Sequence, residues 1–591
     1  MKKIFLLFCI LSLSLGVALA QNTSVHDQTG DDNQATTTQT GSNDATVTQM
    51  GDENTATQDQ NGAGNVADII QSGAGSTDVN TYDNEADQTQ MGDNNSASID
   101  QQEKGDNVAS QTQNGDDNTA TIMQRNPWGA ATPGNDHTQT QTGNSNTAKA
   151  NAFNGDNTGS QTQDGDGNWS LLQQAQNGNV ATHYQEGDDN YTFSFQGNGA
   201  NDAQLTQIGD ENIATANQSG DGNFLRVNQT GNANNAGNVP YWTDEKGVEQ
   251  VGNNNEVQFD QDGNLNNHFI YQEGDYNYGD VWATGNENTG TIKQIGNENT
   301  TGEFATGGIR QIGWDNHAEI DQKGGNQTAF VKQEGMLNKA KVKQFTDNFG
   351  PQVSDVLQDG EENVATVEMN QTGVGNTTLN TAFVQQVGNM NKSDQKVNAP
   401  GYNSGQTVTA YQTGNENDAK QYILSGYTES LYVEQMGNRN VARQMATGGG
   451  HNHGEIIQTG DDNNAKQELS GNNNGYMGAD LKITQTGNEN EAEQDFNGSG
   501  GLGHKNNGTI VQTGNENDAF QVADGRDLDL QITQTGNMNF ADQVSTGEGS
   551  VGIIVQDGSS NDAYMSQTGD LNTGNINQAG DGNWSSVTQN P

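Results

Sequence analysis

The sequence predicts an all-β chain: a β-solenoid of the parallel β-helix kind, built from strand-turn-strand-turn coils of roughly 22 residues with glutamine and asparagine ladders inside. Three observations predict it. The motif Q-x-G-x-x-N-x-A recurs along the 591-residue chain, as Gln28 to Ala35, Gln49 to Ala56, Gln113 to Ala120, Gln207 to Ala214, Gln412 to Ala419, Gln485 to Ala492 and Gln512 to Ala519. Its glutamines keep a step of eleven: Gln207, Gln218 and Gln229; Gln250, Gln261 and Gln272; Gln322, Gln333 and Gln344; Gln567, Gln578 and Gln589. Between the turns the residues alternate with period two, as Asn338, Ala340, Val342 and Gln344 against Lys339, Lys341 and Lys343. A strand sends successive side chains to opposite faces.

Composition by itself points to disorder. Hydrophobic residues are 29%, and Asp+Glu 76 against Lys+Arg 23 gives a net charge of -53, a balance that leaves most chains unfolded. The regular order of the residues overrides it. With Gly 77 but Pro 6, neither collagen nor a proline-rich linker fits. The acidity excludes a nucleic-acid partner held by phosphate contacts and disfavours anionic membranes.

Residues 1–20 read as a secretory signal peptide. Lys2 and Lys3 precede the apolar run Ile4 to Leu15, and Ala18-Leu19-Ala20 is a small-x-small cleavage site. Cys9, the only cysteine, leaves with it, so no disulfide or thiol chemistry is expected in the rest. Residues 21–591 form the repeat region. Each step divides into a turn and a strand. Glycine supplies the positive φ of a tight turn, and Asp, Asn or Glu follow it, as in Asp31-Asp32, Asp188-Asp189 and Asp461-Asp462. The turn glycines singled out are Gly30, Gly51, Gly115, Gly209, Gly414, Gly487 and Gly514.

The N-x-A-x-φ-x-Q positions are placed inside, because one such strand cannot bury its face alone and two close a coil. Stacked coils set equivalent side chains about 4.8 Å apart, so that each inner amide bonds to the amides above and below. The predicted ladder residues are Gln28, Asn33, Gln49, Asn54, Gln113, Asn118, Gln207, Asn212, Gln218, Asn223, Gln229, Gln333, Asn338, Gln344, Gln412, Asn417, Gln485, Asn490, Gln512, Asn517, Gln567, Asn572, Gln578, Asn583 and Gln589. Proline is kept out of central strands, and none of the six interrupts a clear repeat. Loop insertions are expected near 125–136, 237–248, 398–405, 447–454 and 498–505.

The motif, with a glutamine following a few residues on, resembles the curlin repeat over most of the chain after Ala20. The resemblance implies a β-solenoid subunit of curli, the bacterial extracellular amyloid. It implies export through a curli-type outer-membrane channel, polymerisation with other curlin-like subunits or a nucleator, and a part in biofilm matrix, adhesion and surface colonisation. By motif position it makes Gln28, Asn33, Gln207, Asn212, Gln218, Gln512 and Asn517 ladder residues. The chain departs from that pattern in its length, its heavier acidic load and glycine-asparagine turns on both halves of many coils.

The repeat runs from Gln28 to Gln589 with no capping helix predicted, so the open sheet edges are expected to pair between molecules. The reading is a secreted structural fibre subunit at the cell surface, self-associating and without cofactor. The alternative is a monomeric surface β-solenoid adhesin with weak, distributed calcium binding by its acidic turns. No enzyme is expected: GxSxG, HExxH and P-loop patterns are absent. His451 and His453 lie in a glycine-rich stretch without a third metal ligand nearby, and Trp169, Trp314 and Trp584 are expected to face outward.

Overall fold

The computed structural model describes residues 21–72, 83–103, 106–126, 133–237, 247–301, 308–346, 351–372, 379–400, 405–424, 429–447, 451–471, 479–498 and 505–590. The expected signal peptide lies outside them, as do 127–132, 238–246, 401–404, 448–450 and 499–504 of the expected insertions. Strands flanking those stretches reach Asn126, Ala236, Pro400, Thr447 and Gly498. Among the described residues there is no helix, and the strands form a parallel β-solenoid.

Two compact units divide the chain, one holding 21–233 and the other 234–237 with 247–590. In the first unit two parallel sheets face each other. Sheet 1a contains Thr23–Thr29, the second halves of Gln34–Met50 and Thr55–Ser72, and every alternate strand from Ser96–Glu103 to Ile213–Ser219. Sheet 1b contains the first halves of the two long strands and the intervening strands from Glu85–Met91 to Phe224–Thr230. The second unit repeats the plan. Its sheet 2a includes Lys339–Thr346, Val364–Thr372, Lys392–Pro400, Asp418–Ile423, Val441–Thr447, Asn464–Gly471 and Glu491–Gly498 in succession. Sheet 2b includes Gln327–Met336 through Thr573–Ala579.

Register is set by identity of position. Ala419, Ala442, Ala465, Ala492, Ala519, Ala541 and Ala563 stand over one another in sheet 2a. A slip of one residue would turn every inner side chain to solvent. Inner apolar residues are thin columns: Val47, Ala56, Ile69, Ala86 and Ile99 in one unit, Ala410, Ala419, Val433, Ala442 and Ile456 in the other. Outer side chains on the same strands are half-buried or exposed.

The turns explain the glycines. Gly209 has φ 112°, and a Cβ on it would sit 2.3 Å from the carbonyl oxygen of Gly231 in the next coil. Two residues on, Glu211 is also left-handed, at φ 59°, a conformation that the equivalent Ala233, Leu265 and Met538 share and that the turn therefore imposes on non-glycine residues. The coil is nominally 22 residues, but insertions lengthen it: 28 separate Asn118 from Asn146, and 32 separate Asn234 from Asn266. The inner register continues across both longer coils.

Candidate functional site: amide ladders and sheet edges

Each ladder glutamine does two jobs. In sheet 1b, Gln185 Nε2 donates to Gln207 Oε1 at 3.0 Å, and Gln207 Nε2 donates to Gln229 Oε1 at 2.9 Å. The second Nε2 hydrogen of Gln207 crosses to the facing sheet and donates to the carbonyl of Tyr191 at 3.1 Å. One side chain thus ties coil to coil and sheet to sheet. Gln113 repeats this with Gln141 and Ser96. In the second unit a column runs from Gln311 through Gln333, Gln358, Gln386, Gln412, Gln435, Gln458, Gln485, Gln512, Gln534 and Gln556 to Gln578.

Asparagines hold the corners. The Oδ1 of Asn190 accepts both the backbone N–H and the side-chain N–H of Asn212, at 3.0 and 3.1 Å, and Asn212 Nδ2 also caps the carbonyl of Gly231 at 2.7 Å. Asn33 accepts from Asn54 and Asn201 from Asn223 in the same way. Asn118 takes its place between Asn95 and Asn146. Asn338, Asn417, Asn490, Asn517 and Asn583 belong to corner columns of the second unit. Most of the ladder amides are buried and satisfied, which stabilises a polar interior, while Gln395 Oε1 and Gln567 Oε1, each at the start of its column, lack a donor.

Family comparison agrees with this geometry. The curlin associated repeat profile matches residues 42–73, 200–231, 220–263, 266–296 and 313–345. Within those segments the chain carries the curlin associated repeat. A search of the curated proteins returned no match. The matched segments contain ladder residues, among them Gln207, Asn212, Gln218 and Gln229.

Some columns end or change character. Gln49 continues to Gln71, and Gln196 to Gln218. Gln344 accepts from Gln322 but is the last amide of its column, because Met369 stands above it. Asn572 has Ser550 as its neighbour where other columns have asparagine, and its amide turns to the carbonyls of Thr568 and Gly569. The seven turn glycines all have positive φ. Trp169 is half-buried and stacks on Tyr191 at 4.3 Å, while Trp314 and Trp584 are 44% and 68% exposed. His453 opens the strand His453–Thr459; no group of three or more His, Cys, Asp or Glu among the described residues is placed to hold a metal.

Whole ladders escaped the motif. Sheet 1b has a second column, Gln58, Gln88, Gln111, Gln139 and Gln161. In sheet 2a the apolar and amide positions exchange: Gln395, Gln421, Gln444, Gln467, Gln494, Gln521 and Gln543 form the ladder. Val397, Ile423, Ala446, Leu469, Phe496 and Ala523 occupy the usual glutamine place. The signal was present as N-x-A-x-Q, at Asn417-Asp-Ala-Lys-Gln421 and Asn490-Glu-Ala-Glu-Gln494.

Two histidines splice broken columns. In sheet 1a Ala152 replaces glutamine between Gln124 and Gln174. His137, from the facing sheet, fills the gap: its Nδ1 accepts from Gln124 Nε2 at 3.2 Å and its Nε2–H donates to Gln174 Oε1 at 2.8 Å. His268 does the same across Ala283, between Gln261 at 2.8 Å and Gln311 at 2.7 Å. Each ring needs a glycine above it; a Cβ on Gly159 or Gly290 would come within 2.4 Å of the imidazole. Burial pushes both pKa values down to about 4, so the rings are neutral.

The acidic turns are partly self-compensated. Asp166 N–H donates to Asp188 Oδ1 at 2.8 Å and Asp188 N–H to Asp210 Oδ1 at 2.9 Å. Each carboxylate of the row therefore meets the backbone amide of the preceding turn.

At one end of the first unit, Thr23–Thr29 is exposed along its whole length and, among the described residues, pairs with Gln34–Met50 alone. Its Gln28 donates Nε2 to Gln49, leaving Oε1 outermost. At one end of the second unit, Trp584–Gln589 pairs with Asp562–Thr568. There Gln589 Oε1 accepts from Gln567 at 2.9 Å, while Gln578 accepts from Gln556. Within each unit the glutamine ladders donate toward the following coil and the asparagine ladders toward the preceding one.

Proposed function

We propose that the chain is a secreted structural subunit of a curli-like amyloid fibre, extended by pairing of exposed sheet edges between copies. The observation that carries this reading is the match in chemistry between those edges. One offers Asn22, Ser24, His26 and Gln28 in the alternating inner positions, with glutamine acceptors outermost; the other offers Asn583, Ser585, Val587 and Gln589, with the donor sense of its glutamine ladder pointing outward. Unpaired parallel edges are templates for another strand. Removal of residues 1–20, passage through a curli-type outer-membrane channel, a nucleating curlin-like partner, and adhesion within a biofilm matrix belong to the same reading.

The test is incubation of the chain from Gln21 at micromolar concentration, followed by electron microscopy and fibre diffraction. Unbranched fibres with a meridional reflection near about 4.8 Å are expected. Protein that stays monodisperse for weeks with intact strand content overturns the reading.

A further inference from the structure

The outer face of sheet 2a carries two charge triplets of opposite sign in the same three columns. Strand Lys339–Thr346 presents Lys339, Lys341 and Lys343. Strand Glu491–Gly498 presents Glu491, Glu493 and Asp495. All six are exposed or half-buried on the outside. The register carries one triplet onto the other through Val364, Lys392, Asp418, Val441 and Asn464 in the first column, and likewise in the other two. Six strand steps separate them, or about 29 Å, several times the roughly 8 Å Debye length at physiological salt. Within one chain they do not neutralise each other.

Local partners compensate only part of each triplet. Lys341 pairs with Glu319 and Glu493 with Lys466. Lys343 has the more distant Glu368. Partial burial first, and then repulsion from Glu468, hold the Asp495 carboxyl above its ordinary range. In a chain of net charge -53, three adjacent outward lysines mark a surface that favours an acidic partner.

We propose that this face of the second unit docks on the same face of a second copy, antiparallel, about a two-fold axis lying along the strand Asp418–Ile423. That strand is midway between the triplets. A rotation about the strand direction reverses the stacking direction and preserves the columns. Lys339, Lys341 and Lys343 of each copy then oppose Glu491, Glu493 and Asp495 of the other. The same operation sets Asp394 against Arg443; against these stand Glu368 facing Glu468, and Asp418 and Lys420 on the axis each facing its own copy, fewer like-charge pairs than opposite ones. The contact is isologous, so every favourable pair occurs twice. Seven strands by three columns span about 34 Å by 20 Å, burying about 1,300 Å² in total, within the range of a specific interface. It does not depend on edge pairing, which involves other surfaces.

The experiment is sedimentation velocity on the chain from Gln21 and on two charge-reversed proteins, K339E/K341E/K343E and E491K/E493K/D495K. Wild-type association should weaken at least about tenfold between 50 and 500 mM salt, whereas edge-paired fibres persist. Each reversed protein alone should associate at least about tenfold more weakly than wild type, because one now opposes acid with acid and the other base with base. Their equimolar mixture should recover wild-type association, since acidic triplets of one then meet basic triplets of the other. Relief of net repulsion predicts the opposite for E491K/E493K/D495K, namely tighter association. That result, a mixture no tighter than its components, or wild-type association indifferent to salt overturns the proposal.

Discussion

Replacing Gln512 by leucine tests whether amides hold the interior. Gln512 is fully buried. It accepts from Gln485 Nε2 at 2.9 Å and donates to Gln534 Oε1 at 2.9 Å, with further contacts to the carbonyls of Glu491 and Asn517, both at 2.8 Å. Leucine removes both ladder rungs, at about 1 kcal/mol net each. Gln485 keeps the carbonyls of Asn464 and Asn490, but Gln534 Oε1 loses its donor and becomes a buried orphan, costing about 1–3 kcal/mol. The greater apolarity of leucine returns about 1–2 kcal/mol. The net loss is about 2–3 kcal/mol, a factor of roughly 30–150 in the local opening constant. Backbone hydrogen exchange reads it: amides of Asn506–Thr513 and of its neighbours Ala479–Thr486 and Asp529–Thr535 should exchange faster by that factor, while Gln352–Glu361 should not change. Exchange in the leucine protein as slow as in wild type would refute the claim that these amides stabilise the coil.

Glu429 and the splicing histidines predict opposite pH slopes. Burial pushes the Glu429 carboxyl up to about 8, only partly offset by the hydrogen bond from Asn452. Its stability contribution is full below the ordinary value of 4.5 and is lost as pH rises toward 8. Glu429→Gln should therefore stabilise its coil at pH 7 by up to about 3 kcal/mol and remove that slope in denaturant unfolding. His137 and His268 remain neutral in the fold down to about 4, whereas in the unfolded chain they protonate below the ordinary 6.5. Coils around them should be most stable above pH 6.5 and should weaken as pH falls toward 4, seen as faster exchange that is absent in His137→Ala and His268→Ala. Gly487→Ala should open its turn by more than about 2 kcal/mol, since φ is 118° and the new Cβ would lie 2.0 Å from the Gly514 carbonyl oxygen; unchanged proteolytic sensitivity there would contradict the close approach.

The class of fold was legible because period-two alternation and an eleven-residue step survive every insertion. Gly209 and Asn212 could be placed from that rhythm alone. Gln58 and Gln421 were not, because the motif marks only the last inner position as amide and the one before it as apolar, whereas Gln58 adds a second amide beside Gln60 and Gln421 exchanges the two, a change written locally only as N-x-A-x-Q. His137 is harder still. Its role exists only because Ala152 is missing a side chain on the facing sheet and Gly159 leaves room in the next coil, three changes far apart in sequence. The fates of Gln344 and Asn572 depend in the same way on a neighbour one coil away, Met369 or Ser550.

The exchange of amide and apolar positions in sheet 2a has a consequence for assembly fidelity. A solenoid of identical coils could slide by a whole coil without cost, since every rung would find an equivalent one. Here a strand such as Asn464–Gly471, with Gln467 and Leu469, fits only over strands that share its order. Set beside His317–Lys323, with Ile320 and Gln322, it would face an amide with a hydrocarbon twice over. The swap therefore works as an address written into the interior, telling each block of coils which neighbours it can accept during folding.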